Sequence, residues 1–160
     1  YSMALIHEKL YRSTNLDRID FSEYLENLVD NLFESYNVAE DRISVELDVE
    51  AIDLNIETAH PCGLIVNELL SNTFKHAFPN GRTGNVRLEL HRLPDDKIGL
   101  TVQDDGVGFP PDLDFHNVES LGMELICTLT EQLEGEITMR QNNGTIFTII
   151  FSELHYRKRY

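Results

Sequence analysis

Positive charge is scarce in this 160-residue chain. Lys and Arg number 13 against 28 Asp and Glu, a formal net charge of −15. A surface that tracks a phosphate backbone needs clustered Lys and Arg, so this balance argues against a nucleic-acid partner. It leaves a nucleotide open, because a metal ion, a few backbone N–H groups and one or two local cations can hold a small polyanion. Cysteine occurs only at Cys62 and Cys127, far apart and without metal-ligand spacing or a disulfide framework. Both are expected to be buried thiols in a reducing compartment. No apolar run approaches the ~20 residues that cross a bilayer, and no secretory signal pattern opens the chain. No membrane insertion is therefore expected of this segment, and its expected location is cytoplasmic. Internal repeats and low-complexity stretches are also missing.

What is present fits one domain with a proper core, at 41% hydrophobic and 26% charged residues. The chain opens in mid-helix on "YSMALIHEKLYRS", which reads as a fragment of something longer. A second helix is expected over "IDFSEYLENLVDNLFESY", with Ser22 as N-cap and a buried stripe of Leu25, Leu28, Val29, Leu32 and Phe33. "RISVELDV" alternates as a half-buried strand and "DLNI" is a short companion strand. A long helix follows from about Glu57 through Ala77, with Pro61 tolerated in its first turn. "VRLELHRL" and "KIGLTVQD" form a hairpin across "PDD". "LGMELICTLTEQL" is a helix, and "EGEITMRQ" pairs with "GTIFTIIF" across "NNG". Strands that come mostly as hairpins favour an α+β two-layer sandwich, a mixed sheet with helices packed on one face.

Four stretches carry chemistry. In "NELLSNTFKH" the polar groups Glu68, Asn72, Lys75 and His76 share one helical line, while Leu64, Ile65, Leu69, Thr73 and Ala77 fall mainly on other sides. Such a line faces either water or a pocket. In "QDDGVGFP" a strand delivers Asp104 at its end, and Gly106 and Gly108 let the backbone turn and approach a ligand. In "ESLGMELI" a helix opens on Ser120, Leu121, Gly122 and Met123, with unpaired N–H groups and the positive end of its dipole facing the preceding loop. In "NNGTIF" a tight turn precedes Thr145, an inward-facing hydroxyl on an otherwise apolar strand. Each alone reads equally as an ordinary capping or turn feature.

Together, in this order and spacing, they resemble the ATP-binding domain of the GHKL superfamily, named for gyrase, a heat-shock chaperone, histidine kinases and the mismatch-repair MutL proteins. The resemblance spans roughly residues 20–152 and implies the Bergerat fold of histidine kinase ATPases. It implies that Asn72 gives its amide oxygen to Mg²⁺ and that Lys75 and His76 reach phosphate or ribose oxygens. It makes Asp104 the reader of the adenine amino group, supported by Thr145. Gly106 and Gly108 frame the base, the N–H groups around Leu121, Gly122 and Met123 meet the triphosphate, and the loop from Phe109 to Ser120 forms a lid. Glu68, one turn before Asn72, is either a general base or a support for Asn72. The polar line of the first motif would then face the nucleotide.

The lead-in "SMALIHEKLYRS" is similar to the end of the dimerisation helix in one group of sensor histidine kinases. Residues 1–19 would be that helix end and linker, 20–152 the catalytic domain and 153–160 a polar tail. The expected activity is transfer of the γ-phosphoryl of ATP to a His on a dimerisation helix outside the fragment, with a response regulator downstream. His7 is expected to be structural and not the acceptor. The alternatives are a nucleotide-binding signalling module without kinase activity, or an anti-sigma-type serine kinase. The chain departs from many histidine kinases in having a single glycine, Gly122, in the second glycine motif. Its lid is acidic (Asp112, Asp114, Glu119), and His116 is read as a solvated loop residue.

Overall fold

A computed structural model describes residues 18–39, 41–109 and 120–155. The elements in order are β1 (Ile19–Asp20), α1 (Phe21–Ser35), β2 (Ile43–Val49), β3 (Asp53–Leu54), α2 (Ile56–Asn72), β4 (Gly84–Leu93), β5 (Lys97–Asp104), α3 (Leu121–Gln132), β6 (Glu136–Gln141) and β7 (Thr145–Ser152). The expected first helix, His7, the lid residues Asp112, Asp114, His116 and Glu119, and the tail beyond His155 lie outside the described residues.

The main sheet has five strands in the order β2-β4-β5-β7-β6. β2 runs parallel to β4 and the other pairs are antiparallel, so the sheet is mixed as expected. Alternation decides which side is covered. Val86, Leu88 and Leu90 of β4, Ile98, Leu100 and Val102 of β5, and Phe147, Ile149 and Phe151 of β7 are all buried. Their register places them on one face, with Leu100 opposite both Leu90 and Ile149. α2 and α3 pack on that face through Ile65, Val66, Leu69, Ile126 and Leu129. Each fully buried aliphatic side chain contributes roughly 1.5–3 kcal/mol of transfer free energy. The opposite face carries charged and hydroxyl side chains, the usual condition of an antiparallel sheet covered on one side.

The structure corrects several expectations. α1 starts two residues earlier than the Ser22 cap implies, because Asp20 is the N-cap and accepts from the Glu23 N–H at 3.2 Å. Ser22 instead donates its hydroxyl to Asp20. The "DLNI" strand pairs with β1 in a separate two-stranded ladder, not with the main sheet. Asn55 caps α2, so Pro61 falls in the second turn, where its ring leaves the Glu57 carbonyl without its intrahelical donor. α2 does not continue regularly to Ala77. It ends at Asn72 and passes into a π-helical turn over Thr73–Ala77. Cys62 is buried, its thiol pushed well above the ordinary range by desolvation, but Cys127 is only half-buried. Between β4 and β5, Asp95 and Asp96 both adopt left-handed backbone conformations, which suits the twist of a tight hairpin.

Candidate functional site

The buried row of the sheet does not stay apolar to its end. Asp104 stands opposite Val86 on one side and Thr145 on the other, and both polar residues are buried. Past them β5 leaves the sheet as "DGVGF", and Gly106 packs directly on Ala77, leaving no room for a Cβ. The Val107 N–H donates to the Ala77 carbonyl at 2.9 Å. The end of the π-helical turn is thereby fastened to the glycine loop. Single π turns recur at functional sites because they reorient side chains within a helix.

A cavity of about 250 Å³ opens there, lined by Leu69, Asn72, Thr73, His76, Ala77, Asp104, Gly108, Phe109, Ser120, Met123, Thr145 and Phe147. It lies just under the usual ~300–1,000 Å³ of small-molecule sites. The segment between two of its lining residues, Phe109 and Ser120, is outside the described part. Asn72 and Asp104 share this one hollow, as do residues from all four sequence motifs. The Phe109 ring meets Phe147 edge-on at 6.2 Å, and the Phe109 N–H donates to Gln141 Oε1 at 3.0 Å, so an apolar wall adjoins the polar end.

The two acidic residues of "DDG" have different jobs. Asp105 is exposed and fastens the start of β4, accepting from the Asn85 N–H at 2.7 Å and the Asn85 amide at 3.0 Å. Asp104 is enclosed. Burial pushes its carboxyl above the usual range, opposed by the N–H groups of Gly106 and Thr145 and the hydroxyl of Thr73, with the Asp105 charge adding to the rise. The Gly106 bond measures 2.9 Å. An acceptor held in an apolar recess with a cavity before it is suited to read a ligand donor.

At the other end, Ser120 caps α3 by accepting from the Met123 N–H at 3.1 Å. That uses the Met123 donor which the sequence reading gave to a phosphate, and leaves the N–H groups of Leu121 and Gly122 as first-turn donors without intrahelical partners. Gly122 packs closely here: a methyl group in its place would lie 3.1 Å from Glu68 Oε2 and 3.6 Å from the Asn72 amide nitrogen. Glu68 and Asn72 thus reach the start of α3 together. Carboxylate and amide oxygens beside a helix N-terminus are the donor chemistry that suits Mg²⁺ and phosphate together.

Of the residues singled out from sequence, Asn72, His76, Asp104, Gly108, Phe109, Met123 and Thr145 line the cavity, and Glu68, Gly106 and Gly122 support its walls. Lys75 and Leu121 do not line it. The π turn swings Lys75 away, so that its ammonium lies 5.6 Å from the centre of the Tyr36 ring, and the Leu121 side chain is 83% exposed. Leu69, Thr73 and Ala77, assigned from sequence to other sides of the helix, face the cavity. Burial of Thr73 among leucines could have flagged it, since a buried hydroxyl needs a partner.

Fold and cavity together define a nucleotide-binding α+β sandwich of the two-component and chaperone type. The family described as histidine kinase-, DNA gyrase B- and HSP90-like ATPases matches residues 58–155, and a second family described as histidine kinase matches residues 1–36. The chain belongs to the first of these, an ATP-binding catalytic domain. It is 35% identical over 108 residues to blue-light-activated histidine kinase 2 of Erythrobacter litoralis, covering 67% of this chain and 31% of that protein. It is 28% identical over 142 residues to the sensor histidine kinase PdtaS of Mycobacterium tuberculosis, covering 87% of this chain and 28% of that one. The solved structure of the blue-light activated histidine kinase EL346 of Erythrobacter litoralis superposes with a TM-score of 0.81 at 28% identity, over 94% of this chain and 51% of that one. The chain therefore spans about a third or less of the length of these two histidine kinases.

Proposed function

We propose that this chain is the catalytic part of a two-component sensor histidine kinase. It holds Mg²⁺-ATP and donates the γ-phosphoryl group to a histidine on a dimerisation helix of the kinase. The observation that carries the reading is the single cavity shared by Asn72 and Asp104. In it Asp104 accepts the amino hydrogen of adenine and Thr145 supports it. Gly106, Gly108 and Phe109 frame the base. The N–H groups of Leu121 and Gly122 at the N-terminus of α3 receive the phosphates, and His76 contributes a donor at the ribose or phosphates. Lys75, expected at the phosphates, lies against the Tyr36 ring and takes no part in this reading. Mg²⁺, held by the Asn72 amide oxygen, neutralises phosphate charge when bound. Glu68 orients Asn72 across the start of α3.

Phosphoryl transfer depends mostly on positioning and charge neutralisation, which suits this set of groups. The partners in this reading are the phosphoacceptor domain that residues 1–19 enter, a downstream response regulator, and no nucleic acid. No helix among the described residues is long and apolar enough to cross a membrane; the reading places the domain in the cytoplasm. The tail expected from residue 153 begins later, because Glu153 and Leu154 are bonded to Asn55 and Thr58 within the domain.

The test mixes the chain with γ-labelled ATP and a separate dimerisation fragment of a related kinase. Acid-labile, base-stable label on that fragment is the expected result. A base-labile ester would indicate a serine kinase, and no transfer despite ATP binding would indicate a binding module; either overturns the reading.

A further inference from the structure

Thr73 immediately follows Asn72 in the chain and lines the same cavity. It is 7% exposed and lines the hollow with Asp104 and Thr145. Its hydroxyl lies within reach of two acceptors. One is the Leu69 carbonyl, at 3.0 Å. The other is the Asp104 carboxylate, whose ionised form it favours. A hydroxyl carries one proton, so it serves one acceptor at a time. The Leu69 carbonyl already accepts from the Thr73 N–H. The hydroxyl proton is therefore spare and can turn to the carboxylate without orphaning a buried group.

We propose that Thr73 is a specificity-determining residue of the base pocket: its hydroxyl keeps the Asp104 carboxyl an acceptor, so that the pocket takes a purine with an exocyclic amino group at that position and rejects one with a carbonyl there. This rests on the reading of the cavity as an adenine-nucleotide site. The reason lies in what an enclosed carboxyl can do. Desolvation favours its neutral form, and a neutral carboxyl has an O–H that can donate to the carbonyl of guanine or hypoxanthine. Each N–H or O–H aimed at the carboxylate opposes that. The N–H groups of Gly106 and Thr145 are fixed by the backbone, whereas the Thr73 donor is a side chain and can be removed alone. Regular helical spacing brings it there, since Leu69, Asn72, Thr73 and His76 stand at i, i+3, i+4 and i+7 and all line the cavity.

The experiment measures the affinity of ATP and GTP, each with Mg²⁺, for the unmodified chain, Thr73→Val and Thr73→Ser. Valine keeps the shape and loses the hydroxyl; serine keeps the hydroxyl. The expected result is that Thr73→Val lowers the ratio of ATP to GTP affinity about tenfold, the equivalent of one hydrogen bond, while Thr73→Ser retains it. An unchanged ratio in Thr73→Val, or an equal loss in Thr73→Ser, overturns the proposal. Should Thr73→Val fail to fold, Thr73→Ala against Thr73→Ser gives the same two outcomes. An unmodified chain that binds neither nucleotide overturns the cavity reading itself, which is a distinct result.

Discussion

The two faces of the sheet each carry a polar cluster, and they differ in what those groups have left to offer. On the open face Arg87 bonds Glu46, Asp48 and Glu89 at 2.8–3.0 Å, and His91 sits between Asp48 and Glu50 at 3.2 Å from each. These charges satisfy one another in water. On the covered face Asp104 is enclosed with its carboxyl disfavoured as an anion, and the first turn of α3 has N–H groups that no helix bond can use. The open cluster has the larger number of charges and the smaller capacity for further bonds. Chemistry gathers where polar groups are buried and only partly paired, because desolvation there makes each remaining bond worth more.

Asn72→Ala is the strongest way to break that contrast. It removes the amide oxygen assigned to the metal while leaving helix packing intact. Mg²⁺-dependent ATP affinity should fall by about 100-fold or more, since even supporting residues of metal sites cost ~10–100-fold, with the melting temperature little changed. Unchanged ATP affinity with and without Mg²⁺ would remove the metal assignment.

Asp104→Asn sharpens the contrast, because function and stability should move apart. Affinity for ATP should drop by about thirtyfold, within the range for a charge-assisted hydrogen bond. Stability should hold or rise. The folded-state pKa of Asp104 lies above its ordinary 3.8, so the folded protein binds that proton more tightly than the unfolded chain. The residue therefore costs stability as pH rises from about 3.8 through the folded value, and the full cost applies above that value. Asn cannot ionise and escapes it. The melting temperature of the variant minus that of the unmodified chain should be larger at pH 7 than at pH 4. A difference that grows toward acid would mean that Asp104 is stabilised as an anion.

How much of this was legible in the sequence depends on the range of the interaction. The strands, the hairpin turns and the stripe of α1 follow from local period and turn chemistry, and the structure keeps them. The four site motifs were legible because each is a short run whose residues stay together. What failed was rotation about α2. The polar line of the helix groups Lys75 with Asn72 and sets Leu69 and Thr73 aside, whereas Leu69, Asn72, Thr73 and His76 share the cavity face and Lys75, in the π turn at Thr73–Ala77, lies against Tyr36. Nothing in "TFKHA" marks that turn. It is paired with tertiary contacts, the seating of Gly106 and the Val107 N–H on Ala77. The cap of α1 shifted for a similar reason, since Asp20 is drawn into β1 by pairing with Asp53 across the chain. The bonds from Arg18 and from the Asn55 N–H to Glu153 likewise join residues that no local pattern connects.

The smallest effect is expected on the open face, and its sign distinguishes it from the site. Asp48 and Glu50 raise the His91 pKa above its ordinary 6.5. A raised cationic group contributes stability that is fully present below about pH 6.5 and is lost as pH rises through the folded value. The group is well exposed to solvent, so the contribution is small and screened by salt. His91→Gln should leave ATP affinity unchanged and lower the melting temperature only slightly at pH 6, with the difference vanishing by pH 9 and shrinking in concentrated salt. Both differences rise with pH, but His91→Gln starts below the unmodified chain and climbs to meet it, whereas Asp104→Asn moves above it as the carboxyl ionises. Loss of ATP affinity in His91→Gln would show that the paired, solvated cluster is coupled to the cavity, and the division between the two faces would fail.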